Sequence, residues 1–161
     1  MRCHPCLPLK LQRRLLAYLR DLPLDRISKQ HRSWNMSRIK CRDTSPELIV
    51  RSIIHRLGFR FRLHSKKLPG KPDIVLARLK TVIFVHGCFW HRHKNCRLCY
   101  TPKTRRSFWL PKFESNVVRD IRKMRQLRRL GWRVRVIWEC QTSNHKALQR
   151  RIERLFKRHS G

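Results

Sequence analysis

Short apolar runs separated by basic turns set the pattern of this chain. Thr81-Val82-Ile83-Phe84-Val85-His86 is too short for a helix and rich in β-branched residues, which predicts a buried strand. Gly87 breaks that run into a loop holding Cys88, Phe89, Trp90, His91, His93 and Cys96. Pro72 to Leu76 predicts a strand before it, and the basic turn around Arg78 to Lys80 predicts an antiparallel hairpin. Phe59 to Leu63 alternates with period two, as a strand with one face on the core does. Arg133 to Trp138 alternates as well, with Val134, Val136 and Trp138 on one face and Arg133, Arg135 and Ile137 on the other.

Helical periods fill the intervals. Asp43-Thr44-Ser45-Pro46-Glu47 is a helix start, with Ser45 as cap, Pro46 in the first turn and Glu47 favoured by the helix dipole. Leu48, Ile49, Ile53 and Leu57 are the expected buried stripe, and Gly58 the stop. Phe113, Val117, Ile121, Met124 and Leu127 predict a helix over 112–130 ending at Gly131, and 146–157 predicts a last basic helix. The order α-β-β-β-α-β-α predicts an α/β fold, a mixed central sheet flanked by helices.

The first 32 residues read as a basic N-terminal extension, and 33–161 as the main domain. Leu11, Leu15, Tyr18, Leu19 and Leu22 suggest one amphipathic helix, and Asp21 and Asp25 argue against a transit peptide. Cys3 and Cys6 have C-x2-C spacing without a second pair nearby. His31 to Lys40, polar and basic around Trp34, reads as a loop suited to a phosphate backbone.

Charge changes the picture most. The 161 residues hold 41 Lys+Arg against 9 Asp+Glu, a formal net charge of +32, which calls for a polyanionic partner, nucleic acid first. No apolar run approaches the ~18 residues of a membrane span. Seven cysteines in a chain without a secretory signal point to a reducing compartment and to metal or core roles.

Thiolate and imidazole are the ligands tetrahedral zinc prefers. Two quartets compete: Cys88, His93, Cys96 with Cys140, or the same three with Cys99. Asp73, at a strand entry, suits a magnesium ion in a nuclease, although alone it reads more readily as a turn residue. The acid-free interval from Asp73 to Glu114 forces further ligands to come from the Val85 carbonyl, or from water held by His86, His91 and Glu47. His86 and His91 suit general acid–base work. Phe89, Trp90 and Trp109 are expected to be the most exposed aromatics, able to wedge into a base stack or else to pack under the loop. Asp120 reads as an ion-pair partner on its helix.

These residues resemble a known family. The run Val82 to His91, with Pro69-Gly70-Lys71-Pro72-Asp73 before it and Val136-Ile137-Trp138-Glu139-Cys140 after it, is similar to the very short patch repair endonucleases of bacteria. Trp34 to Ile39, Asp43 to Glu47, Thr101 to Thr104, Phe108-Trp109 and Gly131 to Val134 extend the likeness over roughly 33–140. The resemblance implies a restriction-endonuclease-like core in a bacterial, cytoplasmic, nucleoid-associated protein. It implies nicking of double-stranded DNA 5′ to the thymine of a T:G mismatch left by 5-methylcytosine deamination. It implies two catalytic Mg²⁺ and one structural Zn²⁺. By position, Asp73 and the Val85 carbonyl would hold Mg²⁺, and Glu47 and His91 would hold water there. His91 would be the base, assisted by His86 and supported by Asp120. Zinc would go to Cys88, His93, Cys96 and Cys140, and Phe89, Trp90 and Trp109 would enter beside the mismatch. A mismatch-repair or cytosine-methyltransferase partner is left open. Two other readings are a non-catalytic zinc-containing DNA-binding protein and a restriction endonuclease cutting paired DNA.

Overall fold

The computed structural model describes residues 28–38 and 42–157. The chain divides into two compact units, Met1–Ile39 and Lys40–Gly161. The amphipathic segment expected at residues 11–22 and the Cys3–Cys6 pair lie outside the described residues.

In the first unit the segment expected as a loop is a helix, α1 (Lys29–Ser37). Ser28 caps it by accepting a hydrogen bond from the His31 N–H at 3.1 Å. The basic composition masked the helix, because no apolar stripe marks its period.

The second unit begins with α2 (Ser45–Arg56). Its cap is Thr44, and Ser45 is already helical, so the helix starts one residue earlier than expected. Glu47 reaches back to accept from the Asp43 N–H at 3.2 Å and from the Thr44 hydroxyl at 2.9 Å, which satisfies the helix entry without a capping hydroxyl. The buried face is also rotated from the expected stripe. Val50, Ile53 and Ile54 are in the core together with Glu47 and Arg51, whereas Leu48 is exposed.

A four-stranded sheet follows, ordered β1 (Arg62–Leu63), β2 (Ile74–Leu76), β3 (Thr81–His86), β4 (Arg133–Trp138). β1 is shorter than the predicted strand, because Phe59 turns away to meet Phe156 at 4.3 Å between ring centroids. The β2–β3 hairpin is antiparallel as predicted, with Ile74 opposite Ile83, and turns through Ala77–Leu79 with Lys80 in the left-handed region. β3 and β4 run parallel, with His86 opposite Trp138. The sheet is therefore mixed.

Between β3 and β4 lies α3 (Arg106–Arg129), which starts six residues before the predicted 112 and carries Pro111 inside. Pro111 forfeits one ladder hydrogen bond. Trp109, stacked on Phe113 at 5.6 Å and beside Phe89 at 5.5 Å, supplies packing that holds this early turn. The inward face of α3 carries Phe113, Asn116 and Leu127, while Ile121, expected inside, is exposed. The last helix, α4 (His145–Lys157), is capped by the Asn144 side chain, which accepts from the Ala147 N–H at 3.0 Å.

The sheet is covered on both faces. Val50, Ile53 and Ile54 of α2 and Leu148, Ile152 and Phe156 of α4 pack on Ile74, Leu76, Ile83 and Ile137. Leu127 and Met124 of α3 pack on Val75, Val82, Phe84, Val134 and Val136 of the other face. Burial on this scale is the main stabilising term of the fold.

Candidate active site and metal cluster

Asp73 is positioned by a turn that only glycine permits. Gly70 has φ +78°, and a Cβ there would fall 3.0 Å from Lys123 Cβ on α3. The chain then passes Pro72 into Asp73, whose Oδ2 accepts the Val85 N–H at 2.8 Å. That bond fixes the carboxylate against the end of β3. Among the described residues Oδ1 accepts no hydrogen bond; the Nδ1 of His64 stands 3.9 Å from it. Burial pushes the Asp73 carboxyl up to about 6, with the Val85 N–H opposing and Glu47 adding to the rise. A desolvated carboxylate with one oxygen free of hydrogen bonds is a hard oxygen donor, which suits a hard divalent cation.

That raised value has a consequence for stability. The folded state holds the Asp73 proton more tightly than the unfolded chain, so the penalty is absent below the ordinary value of 3.8 and complete once pH passes about 6. Asp73→Asn keeps an acceptor for the Val85 N–H and removes the charge. In magnesium-free buffer the variant is expected to be about 2 kcal/mol more stable than wild type near pH 8. The gain should shrink as pH falls toward 5, read by thermal unfolding of both proteins side by side. A constant difference across that range would remove Asp73 as the titrating group. A chelator is to be avoided, since it would also strip thiolate-bound metal.

Glu47 is buried and nearly saturated. Besides its two bonds at the helix entry, its Oε2 accepts Arg51 Nη2 at 2.7 Å. Arg51 also binds Asp43, which holds the Asp43 carboxyl below its usual range. Arg51, Asp43 and His64 were not singled out from the sequence. The available signal was the spacing of Glu47, Val50, Arg51 and Ile54, which places two charges on the inward face of α2.

At the end of β3, His86 and His91 stack at 3.9 Å with planes 12° apart. Burial and the adjacent His91 push His86 down to about 3, so it is neutral at physiological pH. His91 Nδ1 lies 2.5 Å from Asp120 Oδ2. Burial alone would raise the Asp120 carboxyl, yet the His91 hydrogen bond and charge carry it below its usual value. The carboxylate only accepts, so Nδ1 carries a proton, and in the neutral ring Nε2 is then the nitrogen with the lone pair. Asp120 thus acts across the fold on His91, beyond the local ion pair with Arg119 at 3.5 Å. Asn116, one turn earlier on the same face, donates to the Trp90 carbonyl at 3.2 Å and was missed in the sequence.

The thiol question resolves toward one quartet. The ligand atoms of Cys88, His93, Cys96 and Cys140 all lie within 4.8 Å of one another, and Cys99 is not among them. His93 Nδ1 stands 3.5 Å from Cys88 Sγ and 3.3 Å from Cys140 Sγ. A tetrahedral zinc holds its sulfur and nitrogen ligands about 3.5 Å apart, so a soft divalent metal fits the cluster by spacing and by donor type. Trp138 stacks on His93 at 4.2 Å, and Glu139 Oε2 accepts the Cys88 N–H at 3.0 Å, both from the end of β4.

The aromatics differ from expectation. Phe89, Trp90 and Trp109 are partly buried in one cluster, with Phe89 5.0 Å from Trp90. Tyr100, 63% exposed, and Phe108, 50% exposed, are the open rings of this region. Edge-to-face packing is worth more to these rings than full hydration.

Arranged this way, the second unit can hold a hard cation, hold a soft one and move a proton through His91, on a chain charged to meet polyanions. Comparison with known proteins narrows that description to DNA endonucleases. The family model for DNA mismatch endonuclease Vsr matches residues 24–98. Type II nicking enzyme V.XorIIP of Xanthomonas oryzae pv. oryzae is 47% identical over 132 residues, covering 82% of this chain and 96% of the relative. Type II nicking enzyme V.NmeAIP of Neisseria meningitidis is 41% identical over 133 residues, covering 83% and 94%. DNA mismatch endonuclease Vsr of Escherichia coli is 45% identical over 120 residues, covering 74% and 76%. The chain belongs to the Vsr family of DNA endonucleases. Among the described residues no helix is long and apolar enough to cross a membrane.

Proposed function

We propose that this protein nicks double-stranded DNA 5′ to the thymine of a T:G mismatch, by Mg²⁺-dependent phosphodiester hydrolysis on a restriction-endonuclease-like core. The lesion arises when 5-methylcytosine deaminates, which places the enzyme in very short patch repair in the bacterial cytoplasm, at the nucleoid. Residues 1–32 are a basic extension to the endonuclease domain at 33–161. The observation that carries the reading is the Asp73 carboxylate, pinned by the Val85 N–H with its second oxygen open.

Asp73 and the Val85 carbonyl would hold Mg²⁺, of which two are implied by the family resemblance. Bound there, the metal would supply charge neutralisation and activation of water. Glu47 has one acceptor position left on Oε1 and orients water there. His91 takes the proton of the attacking water at Nε2, because Asp120 holds its Nδ1–H and steadies the imidazolium that forms. Neutral His86, stacked beneath, adds no opposing charge as His91 becomes cationic. Cys88, His93, Cys96 and Cys140 would hold Zn²⁺, which would fix the loop. Phe89, Trp90 and Trp109 reach the base stack from that loop and from α3. Their mutual packing gives a rigid wedge, for which unstacking costs a few kcal/mol per step.

The test uses labelled duplexes with T:G or T:A at one position inside a cytosine-methyltransferase site, with and without Mg²⁺. The expected result is a single nick in the thymine strand of the T:G duplex in Mg²⁺ alone. Cleavage of both strands of paired DNA would establish a restriction endonuclease instead, and binding without nicking a non-catalytic protein.

A further inference from the structure

We propose that Arg51 and His64 form a positioning pair for Asp73, in which Arg51 selects the imidazole tautomer that turns an N–H toward the carboxylate. The proposal rests on the reading of Asp73 as the metal-holding carboxylate. β1 ends at Leu63, paired with Ile74, so the next residue on each side brings His64 opposite Asp73, with the His64 N–H 3.4 Å from the Asp73 carbonyl. His64 adopts φ +46°, a left-handed conformation that a non-glycine residue holds only where its surroundings impose it. The turn directs the ring between two charged groups. On one side Arg51 Nη2 lies 2.9 Å from His64 Nε2. On the other, His64 Nδ1 lies 3.9 Å from Asp73 Oδ1.

A guanidinium has only donors. A second N–H at Nε2 would oppose donor to donor at 2.9 Å, so Nε2 is the accepting nitrogen and the ring proton sits on Nδ1. That puts the ring proton on the nitrogen 3.9 Å from the open Asp73 oxygen. Arg51 is itself held by Glu47 and Asp43, and it is 8% exposed, so the orientation is set by a buried guanidinium instead of a mobile surface side chain. Asp73 therefore has Oδ2 bonded to a backbone N–H and Oδ1 in a longer electrostatic contact with the imidazole. The second contact steadies the plane of the carboxylate and leaves the rest of Oδ1 for a cation. Partners that orient a ligand in this way typically govern metal affinity by 10- to 100-fold, about tenfold being expected for this long contact.

Two measurements decide it, both on the full-length, zinc-containing protein. Nitrogen chemical shifts of the His64 ring, in protein labelled with ¹⁵N-histidine, are expected to show a protonated Nδ1 and a bare Nε2. An Nε2–H tautomer or a doubly protonated ring overturns the role given to Arg51. Binding of Mn²⁺, used as a spectroscopic stand-in for Mg²⁺, is then titrated by its paramagnetic signal. His64→Ala should weaken it about tenfold, with zinc content and melting temperature unchanged. His64→Asn, which returns an amide N–H near the place of Nδ1 and tolerates the left-handed backbone, should recover affinity to within about twofold. Equal affinity in His64→Ala, or no recovery in His64→Asn, overturns the positioning role. If wild type binds no Mn²⁺ beyond its zinc, the reading of Asp73 fails and the positioning role with it, while the ring shifts still settle the tautomer.

Discussion

Asp73→Ala is expected to lower nicking of a T:G duplex by at least about a thousandfold while duplex affinity stays near that of wild type. The asymmetry follows from what the carboxylate does. It contributes one charge among many to a surface of net +32, so phosphate binding barely registers its loss, and removal of a negative charge tightens non-specific binding slightly. On the proposed mechanism catalysis depends on it wholly, because among the described residues it is the carboxylate fixed to the end of β3 by a backbone N–H with an oxygen to spare. Single-turnover nicking and a filter-binding titration on the same preparation separate the two effects. If nicking survives with rates within about tenfold of wild type, the chemistry lies elsewhere.

Loss of the thiolate cluster should have the next largest effect, and it falls on folding first. Cys140→Ser is expected to abolish stoichiometric zinc and to cost at least about 3 kcal/mol, roughly 10 °C in melting temperature. Burial pushes the Cys88 thiol up to about 12 and raises that of Cys140, so without a cation these two sulfurs pack protonated beside the imidazole. A divalent metal held there would displace those protons and tie the loop to β4. Cys99→Ser serves as the comparison and should leave zinc content and melting unchanged, since Cys99 is outside the four-ligand group. The opposite pattern, with zinc lost in Cys99→Ser and kept in Cys140→Ser, would reassign the fourth ligand. Nicking by Cys140→Ser should fall in step with zinc occupancy, because His91 shares the loop.

Much of this arrangement was legible in the residues. The β2–β3 hairpin, β4 and the two later helices followed from apolar period, since their burial is conventional. What the apolar period missed was which polar groups face inward. The inward faces of α2 and α3 carry Glu47, Arg51, Asn116 and Asp120 among their apolar residues. A stripe drawn through aliphatic positions therefore rotated each face, putting Leu48 and Ile121 inside when both are exposed. Glu47 and Asp120 came from the family resemblance, and Arg51 and Asn116 had no signal in the apolar period, so the periodicity argument failed where polar residues turn inward. His64 had no period to reveal it, because a left-handed residue at a strand end leaves no sequence pattern except Asn or Gly. For Phe89, Trp90 and Trp109 the sequence leaves exposure and packing under the loop both open, and their partial burial comes from packing on each other across the loop and α3.

The parallel pairing of β3 with β4 also fixes an order of assembly. Cys88 and Cys140 are 52 positions apart, yet the Cys140 N–H reaches Cys88 Sγ at 3.4 Å. A parallel neighbour cannot be reached by a tight turn, so the entire span through α3 must fold back before the last thiol arrives. During synthesis Cys88, His93 and Cys96 leave the ribosome well ahead of Cys140, as an incomplete set of ligands. The closed cluster is then a signature of a finished domain. On the proposed mechanism the histidine that handles the proton stands in the same loop, so the ability to cut DNA would be acquired only when the C-terminal third of the chain is in place.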